Sequence, residues 1–410
     1  MMPSTVKWIR FSLFNLLLVA LLGILMRYKI GFPFPYFDQK HLQHAHSHFA
    51  FYGWVSHTLM TLMAAYIHDL NQGIPLKRYN SLIALNLMAS YGMLFSFTAW
   101  GYHAVSISFS VLSVLVSYAF TAFFIRDFRP MRIRSGVSLW FRAALLFNVL
   151  SSLGTFALAY MMATKQVAQQ AYLLSVYFYL HFQYNGWFFF TSVGLAILLF
   201  RKLNPDFHTD RRVFWMFALS VVPAYLLSAL WLPMPGWVYA LVVAAAVVQS
   251  MAWVMQFSLF AKEYRNNLQR LLPEIRLGLW VVGFAICIKF LLQLGSVIPE
   301  LAKLAFGFRP VIIAYLHLVL LAITSVFLLL AAYAQGYVQV NRKSKRALIL
   351  FMVSVYLNEA VLALQGVASF AYFRFPMMNE ILFAVSVLIG LAVTALFLSQ
   401  RKPKHDINHL

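Results

Sequence analysis

His41-Leu-Gln-His44-Ala-His46-Ser-His48-Phe-Ala-Phe-Tyr-Gly53-Trp54-Val-Ser-His57 holds five of the chain's twelve histidines within one short stretch. The stretch opens a long apolar run, so its imidazoles are carried into a membrane or a core. An imidazole is a good iron, copper or zinc ligand, and it is costly to bury without a role. Part of the stretch returns later. His48-Phe-Ala-Phe-Tyr-Gly53-Trp54 matches His181-Phe-Gln-Tyr-Asn-Gly186-Trp187, with the shared pattern H-F-x-x-x-G-W. Tyr179-Leu-His181 in turn matches Tyr315-Leu-His317, after a nearly equal interval. An internal repeat of this kind bears on the fold as a whole.

What surrounds these segments sets the fold class. Of 410 residues, 62% are hydrophobic and 10% charged, whereas soluble domains carry about 25% charged residues. Apolar runs of about twenty residues recur from end to end, each long enough to cross a bilayer. The sequence therefore predicts an all-α polytopic membrane protein forming a single transmembrane domain. Twelve spans are expected, at Trp8–Met26, His44–Ile67, Ser81–Trp100, Ala104–Ile125, Ala143–Thr164, Ala171–Phe200, Val213–Leu232, Trp237–Ala261, Leu277–Leu294, Val311–Tyr333, Ala347–Phe370 and Ile381–Ser399. The first run is too long for a signal-peptide core and has no convincing small-residue cleavage site. The single cysteine, Cys287, excludes an internal disulfide and a thiolate cluster. Aromatics at 17% fit interfacial belts or the walls of a large planar cofactor.

A net charge of +21, taken alone, points toward nucleic acid. Its distribution excludes that reading. The N-terminus, the even-numbered connections and the C-terminal tail hold 24 of the 32 Lys and Arg, the odd-numbered connections hold 7, and Lys289 lies inside a span. By the positive-inside rule both termini are expected in the cytoplasm of a multi-pass protein of the bacterial inner membrane. The basic loops then contact anionic membrane lipid.

The repeat turns twelve spans into an architecture. Spans two, six and ten each carry a histidine at one repeat position, which predicts three four-helix units, at about 1–135, 136–272 and 273–410, around a pseudo-threefold axis. His48, His181 and His317 fall a few residues after their span starts. At about 1.5 Å per residue all three belong to the outer layer of the membrane.

Within that layer, His46 and His48 are about 200° apart on a helix and point to opposite sides. One zinc ion fits that poorly; two planar cofactors flanking the helix fit it well. His44 and His48, at i and i+4, have the spacing to share one metal instead. Gly53 and Gly186 would let a ring or a neighbouring helix approach. The competing reading is that these histidines bond between helices or line a polar cavity. His57, about 16 Å deeper, is expected in the core or in a channel. His68, His103, His208, His405 and His409 lie in connections or the tail and carry no assigned chemistry.

The twelve spans in three arcs, with histidines in the second, sixth and tenth, resemble the catalytic subunit of haem-copper oxidases. The segment His46-Ser-His48-Phe-Ala-Phe-Tyr-Gly53 is similar to the H-x-H-L-A-F-x-G run of the nitric oxide reductase branch. There one histidine of the pair holds the low-spin haem and the other the high-spin haem. The resemblance implies one or two b-type haems, respiratory electron transfer or nitric oxide and oxygen handling, and a quinol or cytochrome electron donor. It implies haem roles for His46, His48 and His181, and a copper or non-haem iron at His317.

The sequence also departs from that family. Its H-x-H lies in the second span, not the tenth. If the family's pattern is rotated by one repeat, the paired histidines that complete its metal site would fall in the eleventh span, which has Asn358-Glu359; unrotated, they would fall in the seventh, which has no histidine. The H-x-x-x-Y signature is missing, because Asn185 stands where the tyrosine belongs. Glu359 is then a metal ligand with His317, a proton carrier, or a protonated acid bonded to its surroundings. Lys289 either snorkels to the interface or neutralises a haem propionate. Arg374, in an outer connection, sits where the family places propionate-binding arginines; Arg309 is in another. A non-enzymatic haem or copper carrier, and a cofactor-free partner of a respiratory complex, stand as the other function classes.

Overall fold

The computed structural model describes residues 3–70, 74, 76–128, 136–373 and 375–400. Among these residues, eleven helices are long and apolar enough to cross a membrane. They are α1 (Ser4–Gly31), α3 (Leu76–Trp100), α4 (Ala104–Phe128), α5 (Val137–Thr164), α6 (Gln169–Leu203), α7 (Arg211–Ala229), α8 (Gly236–Asn266), α9 (Pro273–Gly295), α10 (Arg309–Ala334), α11 (Arg342–Phe370) and α12 (Met378–Leu398). The label α2 is given to residues 39–70, a continuous helical run built of Gln39–His48, Phe49–Ser56 and His57–Leu70. It is as long as the others but more polar. The reason is its place in the bundle: from Phe51 to Ala65 every residue is buried. A helix stretch walled in by other helices meets no lipid, so it need not be apolar throughout.

Each expected span has a helix, and most of the helices run a few residues past the apolar limits. Hydrophobicity marks the width of the hydrocarbon, whereas the hydrogen-bond ladder continues into the interface until something stops it. Asp38 caps α2 by accepting from the His41 N–H at 2.9 Å, and that bond holds its carboxyl below the usual range. Asp210 caps α7 through the Arg212 N–H. Asn341 and Ser344 form a reciprocal capping box on α11. The short helix Pro299–Gly307, between α9 and α10, has no counterpart in the expected spans. It is too short to cross a membrane.

In lipid the hydrophobic effect does not press helices together, so close packing and polar contacts must hold them. The core is correspondingly aromatic: Phe49, Trp54, Trp140, Phe141, Phe182 and Trp187 are almost wholly buried. Small residues bring α5 and α6 into contact. A Cβ on Gly186 would meet the Phe147 Cβ at 2.5 Å, and one on Gly154 would meet the Ser175 carbonyl oxygen at 2.5 Å. Gly53 serves its own helix, leaving room for the Phe49 ring. The ion pairs among the described residues gather where α3, α9 and α11 begin and α4 ends. There Asp127 holds Arg78 at 3.2 Å and Arg126 at 3.0 Å, and Glu274 holds Lys345 at 3.4 Å.

Candidate functional site

His48, His181 and His317 share a backbone event. Each closes a stretch of α-helix, and the next residue starts a π-helical segment: Phe49–Ser56, Phe182–Phe188 and Leu318–Ser325. Such widened turns are rare and recur at functional sites. A π turn shifts the i→i−4 ladder, so some carbonyls need partners from outside. Asn86 Nδ2 of α3 donates to the Tyr52 carbonyl at 3.0 Å. Asn15 Nδ2 of α1 donates to the Gly53 carbonyl. The Tyr356 hydroxyl of α11 donates to the Ala322 carbonyl at 3.0 Å.

The π segments also hold one another. Trp187 Nε1 donates to Ser56 Oγ at 3.1 Å, and Trp54 Nε1 donates to Ser325 Oγ at 2.8 Å. Both bonds join the sixth position after one histidine to the eighth after another. At the third such place the residues are Ile323 and Phe189, which line a common cavity. Nearer the histidines, the Tyr179 hydroxyl donates to the Tyr52 hydroxyl at 3.2 Å. The Tyr184 and Tyr315 rings stand 6.2 Å apart, and His46 interacts electrostatically with His317. Thus the residue two before each repeat histidine (His46, Tyr179 or Tyr315) faces another of the three helices.

The histidines themselves fall into three settings. His46 and His48 lie on opposite sides of α2. His46 turns toward α1, where its Cε1 is 3.6 Å from a Cβ built on Gly23. Its Nδ1 is buried without a hydrogen-bond partner among the described residues. His317 Nδ1 lies 2.8 Å from the Ile313 carbonyl, so that nitrogen carries the proton and Nε2 keeps its lone pair. His48 stacks on Phe97 of α3 at 4.4 Å and 9°, and His44 meets Tyr102 edge-on at 4.5 Å. His44 Nε2 is another buried nitrogen without a partner among those residues. His181 differs: Nε2 donates to the Val221 carbonyl at 2.7 Å and Nδ1 accepts from Asn185 Nδ2 at 3.2 Å. It must give up one of these bonds before it can ligate anything. It is also directed at α7, whereas His48 is directed at α3, so the two do not meet.

The remaining candidates are spread out. Lys289 is buried, only 5% exposed, and does not snorkel; its Nζ donates to Gln293 Oε1 at 3.0 Å. Glu359 accepts from Asn358 Nδ2 at 3.2 Å. Arg309 donates to Gln43 Oε1 at 2.7 Å, tying the α10 end to the histidine helix. Arg374 lies outside the described residues. His57 is fully buried, edge-on to Trp8 at 5.8 Å. Among the described residues no group of three or more His, Cys, Asp or Glu is gathered closely enough to hold a metal ion. Single imidazoles such as His46 and His317 are the donors on offer.

Two asparagines belong to this site and escape a reading centred on histidine. Asn15 supports the first π segment. Asn148 supports the second by accepting from Gln183 Nε2 at 2.9 Å. They stand in Phe14-Asn15 and Phe147-Asn148, at the same offset as His48 and His181, so the signal was present in the repeat. Fold and site define a polytopic helical membrane protein with half-buried imidazoles on α2 and α10 and a buried one, His181, on α6. Comparison with protein-family models and with curated proteins gives no match.

Proposed function

We propose that this chain is a haem-binding integral membrane protein of the haem-copper oxidase type, serving respiratory electron transfer or the handling of nitric oxide or oxygen. The observation that carries the reading is the pair His46 and His317, on α2 and α10. One has an unpartnered buried nitrogen, and the other has its proton fixed by the Ile313 carbonyl. This donor set fits a haem iron. A bound haem supplies a one-electron couple and a place for a diatomic ligand. The chain's own part is to fix the His317 tautomer and to hold both half-buried imidazoles on α2 and α10. His44 and His48 form a second imidazole pair against Phe97 and Tyr102. His181 is assigned a supporting role through Val221 and Asn185.

In this proposal α2 is a twelfth span, and the twelve form three units around the π segments. The regular contacts between the sixth and eighth positions support that arrangement, as do the residues two before each histidine. The Lys and Arg distribution supports termini in the cytoplasm and the histidine layer near the outer face of a bacterial inner membrane. A quinol or a cytochrome is the electron donor expected with such a haem.

One preparation tests this. Protein made with ample haem and purified in mild detergent should give a b-type reduced-minus-oxidised spectrum and a positive pyridine haem assay. His46→Ala and His317→Ala should each lose haem, and His181→Ala should keep it. Absence of haem would overturn the proposal in favour of a copper carrier or a cofactor-free partner, which metal analysis of the same sample separates. Haem retained in both His46→Ala and His317→Ala would remove this ligand pair. Copper or non-haem iron lost with His317→Ala and Glu359→Ala while haem stays would place a second metal there instead.

A further inference from the structure

Between the second and third repeat units lies a half-enclosed cavity walled by α6, α8, α9 and α10, with an empty volume, open mouth included, of about 990 Å³. On α6 its lining runs from Tyr184 to Phe200. At about 1.5 Å per residue this makes it about 24 Å long. That exceeds the roughly 15 Å of acyl chain in one leaflet of a ~30 Å hydrocarbon core. Trp253, Phe257 and Phe260 form one apolar wall. Near one end, the stacked rings of Phe200 and Phe260, 4.9 Å apart, narrow it.

The other end is different. Among the described residues, Lys289 is the only charged one lining the cavity, and the ring of its neighbour Phe290 stands 6.3 Å from Phe189 of α6, nearer the Tyr184 end. Its ammonium has neutral neighbours: Gln293 Oε1 at 3.0 Å and the Phe290 ring at 3.9 Å. Gln293 Nε2 passes the bond on to Gln249 Oε1 at 2.8 Å. No Asp or Glu lies within ion-pair distance of Lys289 among the described residues. A buried cation without a counter-charge is costly and calls for an anion. Ser192, also in the lining, has a buried hydroxyl with no partner among those residues. A long apolar slot with one unneutralised cation at its end is complementary to a single-chain amphiphile with an acidic head.

We propose that this cavity binds a long-chain fatty acid, its carboxylate against Lys289 and its chain along α6 toward Phe200. A two-chain phospholipid fits less well, because its head would have to enter a site where Lys289, Gln249 and Gln293 are all nearly inaccessible. The inference does not depend on the haem reading.

The test uses the full chain in mild detergent, with labelled palmitate and hexadecanol compared by equilibrium dialysis. Palmitate should bind more tightly, because only it brings the counter-charge. Lys289→Gln should weaken palmitate about tenfold or more, the expected loss of one charge-assisted bond, and should leave hexadecanol unchanged. Retained hexadecanol binding reports that the variant is folded. Ala196→Phe, which narrows the lining toward its Phe200 end and leaves Lys289 in place, should weaken both probes. Equal binding of the two probes to the unaltered protein would overturn the proposal. So would palmitate binding that Lys289→Gln does not change. Haem lost from Lys289→Gln with palmitate binding intact would assign the cation to a haem propionate instead.

Discussion

The two tryptophans of the repeated motif are a residue-scale problem with a definite answer. A buried indole N–H left without an acceptor costs about 1–3 kcal/mol. Trp54 avoids this through Ser325, and Trp187 through Ser56. Ser325→Ala should therefore lower stability by about 1–3 kcal/mol, read as a lower thermal unfolding midpoint in detergent. The same substitution in a Trp54→Phe background should cost less, with a coupling of about 0.5–3 kcal/mol. Equal losses in both backgrounds would mean that the bond contributes nothing of its own. The motif displayed the tryptophans but not their partners. Each indole finds its serine on a different helix, and no local pattern joins the two.

At the scale of elements, the helices were legible because hydrocarbon thickness imposes a length that hydrophobicity records. His48 and His181, each followed by a π segment, were legible through H-F-x-x-x-G-W. The π segments were not. The donors that answer their freed carbonyls, Asn15, Asn86 and Tyr356, lie on other helices. The settings of the imidazoles were hidden for the same reason: that His181 is fully bonded and His317 is not follows from Val221 and Ile313 carbonyls, which have no sequence signature. Gly186 was legible as a site of close approach, though its neighbour was not. With Phe147 Cβ 2.5 Å from a built Cβ, Gly186→Ala must push α5 away from α6. A loss of about 1–3 kcal/mol is expected. Gly236→Ala, where no atom lies within 4 Å, should unfold like the parent. If both variants match the parent, the α5–α6 contact is looser than these distances.

For the whole molecule, every statement about an outer layer rests on the sidedness of the membrane. The asymmetry of Lys and Arg is large, and the ion pairs of Asp127 and Glu274 sit at the ends that it assigns to the cytoplasm. The assignment can be read with single cysteines in a Cys287→Ser background, where serine keeps an acceptor for the Trp253 Nε1–H that now reaches the sulfur at 3.2 Å. Gln166, exposed between α5 and α6, and Asp206, exposed between α6 and α7, lie at opposite ends of one helix. In intact spheroplasts a membrane-impermeant maleimide should label Gln166→Cys. It should reach Asp206→Cys only after permeabilisation. The reverse pattern would turn the molecule over and move His46 and His317 to the cytoplasmic half. An electron donor on the outer side would then be excluded as their direct partner. Labelling of both in intact spheroplasts would mean that α6 does not cross, and the three-unit arrangement would fall with it.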